Sequence, residues 1–207
     1  MTAHEDVLPG GDAARPGDTP GPDGSVPPAP PAGGRKVVMA LGSNLGDRLA
    51  SLQRAVDLLC GDELRCTAVS GVYQTAPVGG PAQDDYLNAV LLGRSDRPAR
   101  QLLELAQAAE AALHRVRAER WGPRTLDVDL IACGDEVSTD PALTLPHPRA
   151  RERAFVLVPW LEADPDAVLP GHGRVADLVR ATGTAGVRLL DGAALTLPPG
   201  AGREEAR

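Results

Sequence analysis

Two hydrophobic periods alternate between residues 36 and 132, and this alternation restricts the fold more than any other feature of the chain. Residues 36–41 (KVVMAL) are a continuous apolar run, which predicts a buried strand, and Gly42–Asp47 (GSNLGD) predicts a turn. Asn44 and Asp47 are candidate helix caps, and Leu49, Leu52, Val56 and Leu59 then recur at helical spacing until Gly61 supplies a stop. Residues 64–75 read as a strand with Val69, Gly71 and Tyr73 on one face, 76–85 as a Pro/Gly loop, and 86–92 (YLNAVLL) as a third strand. Pro98 opens a second helix, a position where its missing N–H costs nothing, and Leu102, Leu105, Ala109 and Leu113 form the buried stripe. After a charged loop over 115–124, residues 125–132 (TLDVDLIA) form a fourth strand. The order βαββαβ predicts an α+β fold: a ferredoxin-like antiparallel sheet with helices on one face. C-terminal additions follow, namely a third helix over 151–162, which Pro159 should end or kink, and a short helix near 175–180.

The ends read differently. The first 34 residues hold eight prolines and seven glycines and no aromatic residue, so they cannot bury enough apolar surface to offset the entropy of ordering. Residues 1–34 are therefore expected to be a disordered tail, 35–190 the folded domain and 191–207 a frayed end. No apolar stretch follows a basic start, and no run of about 18 apolar residues occurs, which points to a cytoplasmic protein with no membrane partner. The net charge of −7 argues against nucleic-acid binding. Cys60, Cys66 and Cys133 lack C-x-x-C spacing and are expected to be free, buried thiols.

The segment with most chemistry is 115–129, RVRAERWGPRTLDVD. Alternation along a strand turns Leu126, Val128 and Leu130 to the core and Asp127 and Asp129 together to the other face. Two carboxylates about 7 Å apart on one face repel unless a cation joins them, and oxygen-only ligands suit Mg²⁺ with phosphate oxygens completing its shell. An isolated Asp-x-Asp is more often a solvated strand face. Here Arg115, Arg117, Arg120 and Arg124 precede it around Trp121, and guanidinium forks suit phosphates. Residues 146–153 (PHPRARER) repeat the cationic theme, with His147 able to hold a phosphate or order a carboxylate. Of the five aromatic residues, Tyr86, Trp121 and Phe155 lie within polar segments, as faces for a flat heterocycle or as core packing, and Asn88 shares a strand face with Tyr86. No P-loop and no protein-kinase signature is present.

Four blocks carry a family resemblance: ALGSNLGDR at 40–48, VYQTAPVGGPAQDDYLNAV at 72–90, RVRAERWGPRTLDVDLI at 115–131 and LTLPHPRARERAFVLVPWLE at 143–162. In order and spacing the chain resembles the 6-hydroxymethyl-7,8-dihydropterin pyrophosphokinases of folate biosynthesis, with the R-W-G-P-R-T-L-D-x-D-L-I block the most specific. Pro148 stands where some relatives carry an aromatic residue.

The resemblance implies transfer of diphosphate from ATP to the pterin hydroxymethyl group, with release of AMP. It implies that Asp127 and Asp129 bind two Mg²⁺ ions, and that Arg115 and Arg117 neutralise phosphate charge from a catalytic loop. ATP would meet Gln107, Glu110, Arg117, Arg124 and Leu130, and then Thr144, His147 and Arg153. Trp121 and Phe155 would sandwich the pterin, with Thr75, Ala76, Val78, Tyr86 and Asn88 completing the pocket and Gly42 and Asn44 nearby. The partners implied are small molecules, ATP and a reduced pterin, acting on a monomer. The competing readings are a catalytically silent relative that binds pterin or ATP, an RNA-binding ferredoxin-like module, and an ordinary kinase releasing ADP.

Overall fold

The computed structural model describes residues 33–77, 83–113 and 124–201. Val78, Arg115, Arg117, Arg120, Trp121, the expected tail up to residue 32 and the last residues from 202 lie outside the described residues. Strand β1 (Arg35–Ser43) runs two residues further than its apolar run predicts, because Gly42 and Ser43 stay paired to the neighbouring strand. Helix α1 (Arg48–Leu59) starts where Asp47 Oδ1 accepts the Ala50 N–H at 3.1 Å, and buries Leu52, Ala55, Val56 and Leu59. Of the two cap candidates only Asp47 caps.

The expected strand over 64–75 is two strands, β2 (Arg65–Val69) and β3 (Tyr73–Thr75). Between them Ser70 Oγ accepts the Val90 N–H at 2.9 Å and Gly71 N donates to the Glu162 carboxylate at 3.1 Å, which bends the chain. Val69 consequently packs in one core while Tyr73 turns to the other side, so the expected common face of Val69 and Tyr73 does not form. Strand β4 (Tyr86–Ser95) takes β3 along its first half and β2 along its second, both antiparallel. Helix α2 (Ala99–Ala112) follows Pro98, and β5 (Asp127–Cys133) returns antiparallel to β1.

Beyond this lie a hairpin of β6 (Ser138–Asp140) and β7 (Leu143–Leu145), a 3-10 turn at Ala150–Glu152, and helix α3 (Ala154–Ala163). A second hairpin of β8 (Val168–Leu169) and β9 (Gly173–Arg174), helix α4 (Val175–Thr182) and strand β10 (Arg188–Leu189) follow. Of the two expected effects of Pro159, it does not end α3: the helix continues to Ala163, since Val156, Leu157, Pro159 and Trp160 are all buried and packing outweighs the lost N–H.

The main sheet is antiparallel, in the order β10-β3-β4-β1-β5 with β2 also on β4. One core, with Met39, Leu41, Leu52, Leu59, Leu91 and Leu102, joins it to α1 and α2. A second, with Val38, Val90, Ile131, Leu157 and Trp160, joins its other face to α3. The helices of the βαββαβ unit therefore share one face, and α3 and α4 cover the other. A bulge on β5 makes this possible: Val38 pairs with Ala132 and Met39 with Leu130, so Ile131 and Ala132 both reach the second core.

Two expectations are corrected. Cys60 and Cys66 form a disulfide and only Cys133, buried, is free. The chain reverses between α1 and β2, with Gly61 N donating to Leu64 O at 3.0 Å, and this turn brings two sulfurs together that their spacing does not pair. The described part of the expected frayed end, 191–201, packs rather than frays: Leu195 is buried in the first core and Thr196 N donates to Gln53 Oε1 at 2.9 Å. No helix among the described residues is long and apolar enough to cross a membrane.

Two measurements check this fold. Burial, with the Glu162 carboxylate beside it, pushes the Tyr73 hydroxyl up to about 12. The chain has two tyrosines, so absorbance titration of the protein against Tyr73→Phe isolates this group. Between pH 10 and 12 the unfolded chain loses the proton that the folded chain keeps, so folding stability should fall across that window, and less in Tyr73→Phe. Thiol counting in denaturant should find one reactive cysteine without reductant and three with it; three in both conditions would contradict the disulfide.

Candidate active site

Strands β4, β1 and β5 build a floor on the face of the sheet that carries the second core. The register sets Gly42 opposite Asn88 on one side and opposite Asp127 on the other. Without a side chain, Gly42 leaves a gap: a Cβ there would stand 3.5 Å from Asn88 Oδ1 and 3.9 Å from Asp127 Cβ and Tyr86 Cδ1. Tyr73 faces Asn88 and Thr75 faces Tyr86 in the ladder of β3 and β4. Asn88, 5% exposed, donates to Thr75 Oγ1 at 2.9 Å, which fixes its amide and leaves Oδ1 aimed over Gly42.

The carboxylates stand across the gap. Asp127 and Asp129 share the face, as alternation predicts, with side chains 26% and 34% exposed. No metal-sized cluster of three or more His, Cys, Asp or Glu occurs among the described residues. Each carboxylate instead has its own arginine: Arg124 Nη1 lies 2.7 Å from Asp127 Oδ2 and Arg153 Nη1 2.9 Å from Asp129 Oδ2. Arg153 also stacks over the Phe155 ring, 5.6 Å from its centroid, tying one predicted aromatic face to the charged cluster.

Asn44 joins the two sides. Its Oδ1 accepts the Arg124 N–H at 2.8 Å, its own N–H donates to Arg124 O at 3.0 Å, and Nδ2 reaches Gln83 Oε1 at 2.8 Å. Asn44 is thus a buried brace between the segment before β5 and the segment before β4. His147 has Nε2 3.8 Å from Asp129 Oδ2, too far for a hydrogen bond. Its Nδ1 accepts the Arg149 N–H at 3.2 Å, so Nε2 carries the proton in the neutral ring. Burial holds its pKa below the ordinary histidine value, Asp129 opposing and Arg153 and Arg149 reinforcing.

Along the free edge of β5 runs a cleft of about 250 Å³, lined by Leu103, Val128, Leu130, Leu143, Thr144 and His147, with Asp129 at its lip. The prediction names Leu130, Thr144 and His147 but misses Leu103 and the 141–143 turn, which come from α2 and the β6–β7 hairpin and carry no local signal. Glu110 is buried behind the edge, and its Oε1 accepts the Val128 N–H at 2.9 Å; Gln107 is exposed on α2. Of the residues expected to line the acceptor pocket, Ala76 is exposed beside buried Thr75.

Glu110→Ala should destabilise folding by about 1–3 kcal/mol, because an edge-strand N–H loses its acceptor. Glu110→Gln, which keeps an oxygen there, should recover most of that in urea denaturation.

Residues 38–165 match the sequence pattern of the 7,8-dihydro-6-hydroxymethylpterin-pyrophosphokinase family. The chain is 49% identical over 150 residues to the 2-amino-4-hydroxy-6-hydroxymethyldihydropteridine pyrophosphokinase of Mycobacterium tuberculosis H37Rv, covering 67% of this chain and 77% of that one. It is 37% identical over 160 residues to the Pseudomonas aeruginosa protein of the same name, covering 77% and 99%. A solved Plasmodium falciparum HPPK-DHPS chain, wild type with SDX-DHP, shares the fold at a TM-score of 0.55 and 12% identity, covering 71% of this chain and 44% of that one. This chain thus spans less than half of that longer protein.

Proposed function

The chain belongs to the 7,8-dihydro-6-hydroxymethylpterin-pyrophosphokinase family, and from that premise we propose how its residues share one reaction: transfer of diphosphate from ATP to the hydroxymethyl group of 6-hydroxymethyl-7,8-dihydropterin, with release of AMP, in folate biosynthesis. The observation that carries the assignment of residues is Gly42, a side-chain-free floor between an amide-and-aromatic side and a carboxylate-and-arginine side.

The pterin lies on the first side. Asn88 Oδ1 meets its donors, Thr75, Ala76 and Tyr86 bound it, and Phe155, with Trp121 and Val78, completes the enclosure. Gly42 and Asn44 keep the space open and its walls fixed. The nucleotide lies on the second side. Its base enters the β5-edge cleft between apolar Leu130 and Leu143 and the His147 ring, with Thr144, Gln107 and Glu110 at its borders. Its phosphates meet Arg124 and Arg153 and, from the segment before β5, Arg115 and Arg117.

Asp127 and Asp129 suit Mg²⁺: both are hard oxygen donors, partly exposed on one face, and Mg²⁺ completes its shell with waters and phosphate oxygens. Bound there, Mg²⁺ would neutralise the charge on the phosphate oxygens. The carboxylates and their two arginines sum to no net charge, so arginines released toward phosphate leave the carboxylates to the metal without a buried imbalance. The acceptor hydroxyl oxygen forms a bond to the β-phosphorus and gives its proton to solvent, the bond from that phosphorus to the α–β bridging oxygen breaks, and AMP departs with that oxygen. Catalysis rests on alignment and charge, and alignment of two bound substrates supplies on the order of 7–11 kcal/mol. The strand order, with β4 and β1 central, supports reading the βαββαβ unit as ferredoxin-like.

Purified protein given Mg²⁺, ATP and 6-hydroxymethyl-7,8-dihydropterin should form AMP only when pterin is present, with diphosphate on the pterin. ADP as product, or AMP made without pterin, would refute the reading. Asp129→Ala should lower kcat by at least about 10²-fold while the protein remains folded by circular dichroism. Normal turnover in that variant would remove Asp129 from the site.

A further inference from the structure

Behind the acceptor side of the floor, at the edge of the sheet, three side chains form a hydrogen-bonded line. Arg188 on β10 donates through Nη2 to Gln74 Oε1 at 2.9 Å, and Gln74 donates through Nε2 to Asp85 Oδ2 at 2.7 Å. Arg48 Nη1, at the start of α1, donates to the Asp85 carbonyl at 2.6 Å. Guanidinium groups only donate and carboxylates only accept, so the Gln74 amide has a single orientation that satisfies both ends. The line borders a cleft of about 390 Å³ that also takes in Thr75, Gly186 and Val187.

Gln74 precedes Thr75, Asp85 precedes Tyr86, and Thr75 and Tyr86 are register partners. That pair is the last rung between β3 and β4, and β3 has only three residues. A strand so short frays readily at its end. Alternation turns Gln74 to the face opposite Thr75, so the Gln74–Asp85 bond ties the last rung from behind without entering the floor. β10, paired to β3 through Arg188↔Gln74 and Leu189↔Tyr73, presents the arginine that orients Gln74.

We propose that Gln74, Asp85 and Arg188 are positioning residues for the acceptor: they hold Thr75 and Tyr86 in register, and so set the affinity for pterin while leaving the nucleotide alone. The proposal rests on the reading of the Thr75–Tyr86–Asn88 side as the pterin site. In this reading the three act through Thr75 and Tyr86, whose rung they hold, rather than on the substrate itself. The nucleotide cleft, on the other side of Gly42, is built from β5, α2 and the β6–β7 hairpin and shares no residue with this line.

The test is steady-state kinetics of the full chain, varying pterin and ATP separately, on the wild type and on Asp85→Ala, Asp85→Asn and Arg188→Ala. Loss of one hydrogen bond at this strength should raise the pterin KM about 5- to 10-fold in Asp85→Ala, with the ATP KM unchanged. Asp85→Asn keeps an oxygen that accepts from Gln74 and should restore the wild-type KM. Arg188→Ala, whose side chain is at the exposed edge, should raise the pterin KM about twofold or more and carries the test should Asp85→Ala not fold. An unchanged pterin KM in the folded variants, an equal rise in both KM values, or no rescue by asparagine would overturn the proposal. A wild type that forms no pterin-dependent AMP would instead overturn the function on which it rests.

Discussion

Strand β1 carries the structure. It pairs along nine residues with β4 on one side and, on the other, with β5, and apolar side chains leave both of its faces for the two cores. A strand buried on both faces cannot slip by one residue without turning every side chain to the wrong layer. The register is therefore held tightly, and with it the separation of Asn88 from Asp127 across Gly42. A reaction between two bound molecules needs that separation more than it needs any single side chain. The sheet supplies it through backbone hydrogen bonds, before any side chain of the floor contributes.

The carboxylate side shows how a polar site is kept stable within a packed domain. Asp127 and Asp129 would repel each other if left alone on one face. Arg124 and Arg153 separate them into two ion pairs, each half-exposed, and Phe155 supports the second arginine from below. Exposed pairs of this kind contribute little to folding. Their value lies elsewhere: both partners can change company without leaving a charge buried and alone. Asn44 bonds to the backbone of Arg124, so the arginine's main chain stays fixed while its side chain is free to turn.

Much of this was legible in the residues. The alternation in TLDVDLIA put Asp127 and Asp129 on one face, and the order of the two hydrophobic periods gave the sequence of strands and helices around β1. What was not legible depends on contacts distant in the chain. The break between β2 and β3 comes from Ser70 bonding Val90 and Gly71 bonding Glu162. Pro159 is tolerated within α3 because the sheet buries that turn. The Cys60–Cys66 bond follows from a chain reversal, and the packing of Leu195 from α1 lying in its path. In each case a local rule was correct about local preference and was overridden by burial. The arginines at 124 and 153 were legible as cations, but not as the separate partners of the two aspartates, because a sequence does not say which of several nearby charges a side chain will meet.

Glu110 illustrates a last point. β5 stands at the margin of the main sheet, and a margin strand offers unpaired N–H and C=O groups to any other extended chain. Here one of those donors is already occupied by a buried carboxylate from α2, and the β6–β7 hairpin rises alongside to wall the strand in as a cleft. The same construction that shapes the cleft thus fills a donor that an added extended chain would need. Protection of the strand edge and the shape of the cleft are, at this margin, one and the same piece of architecture.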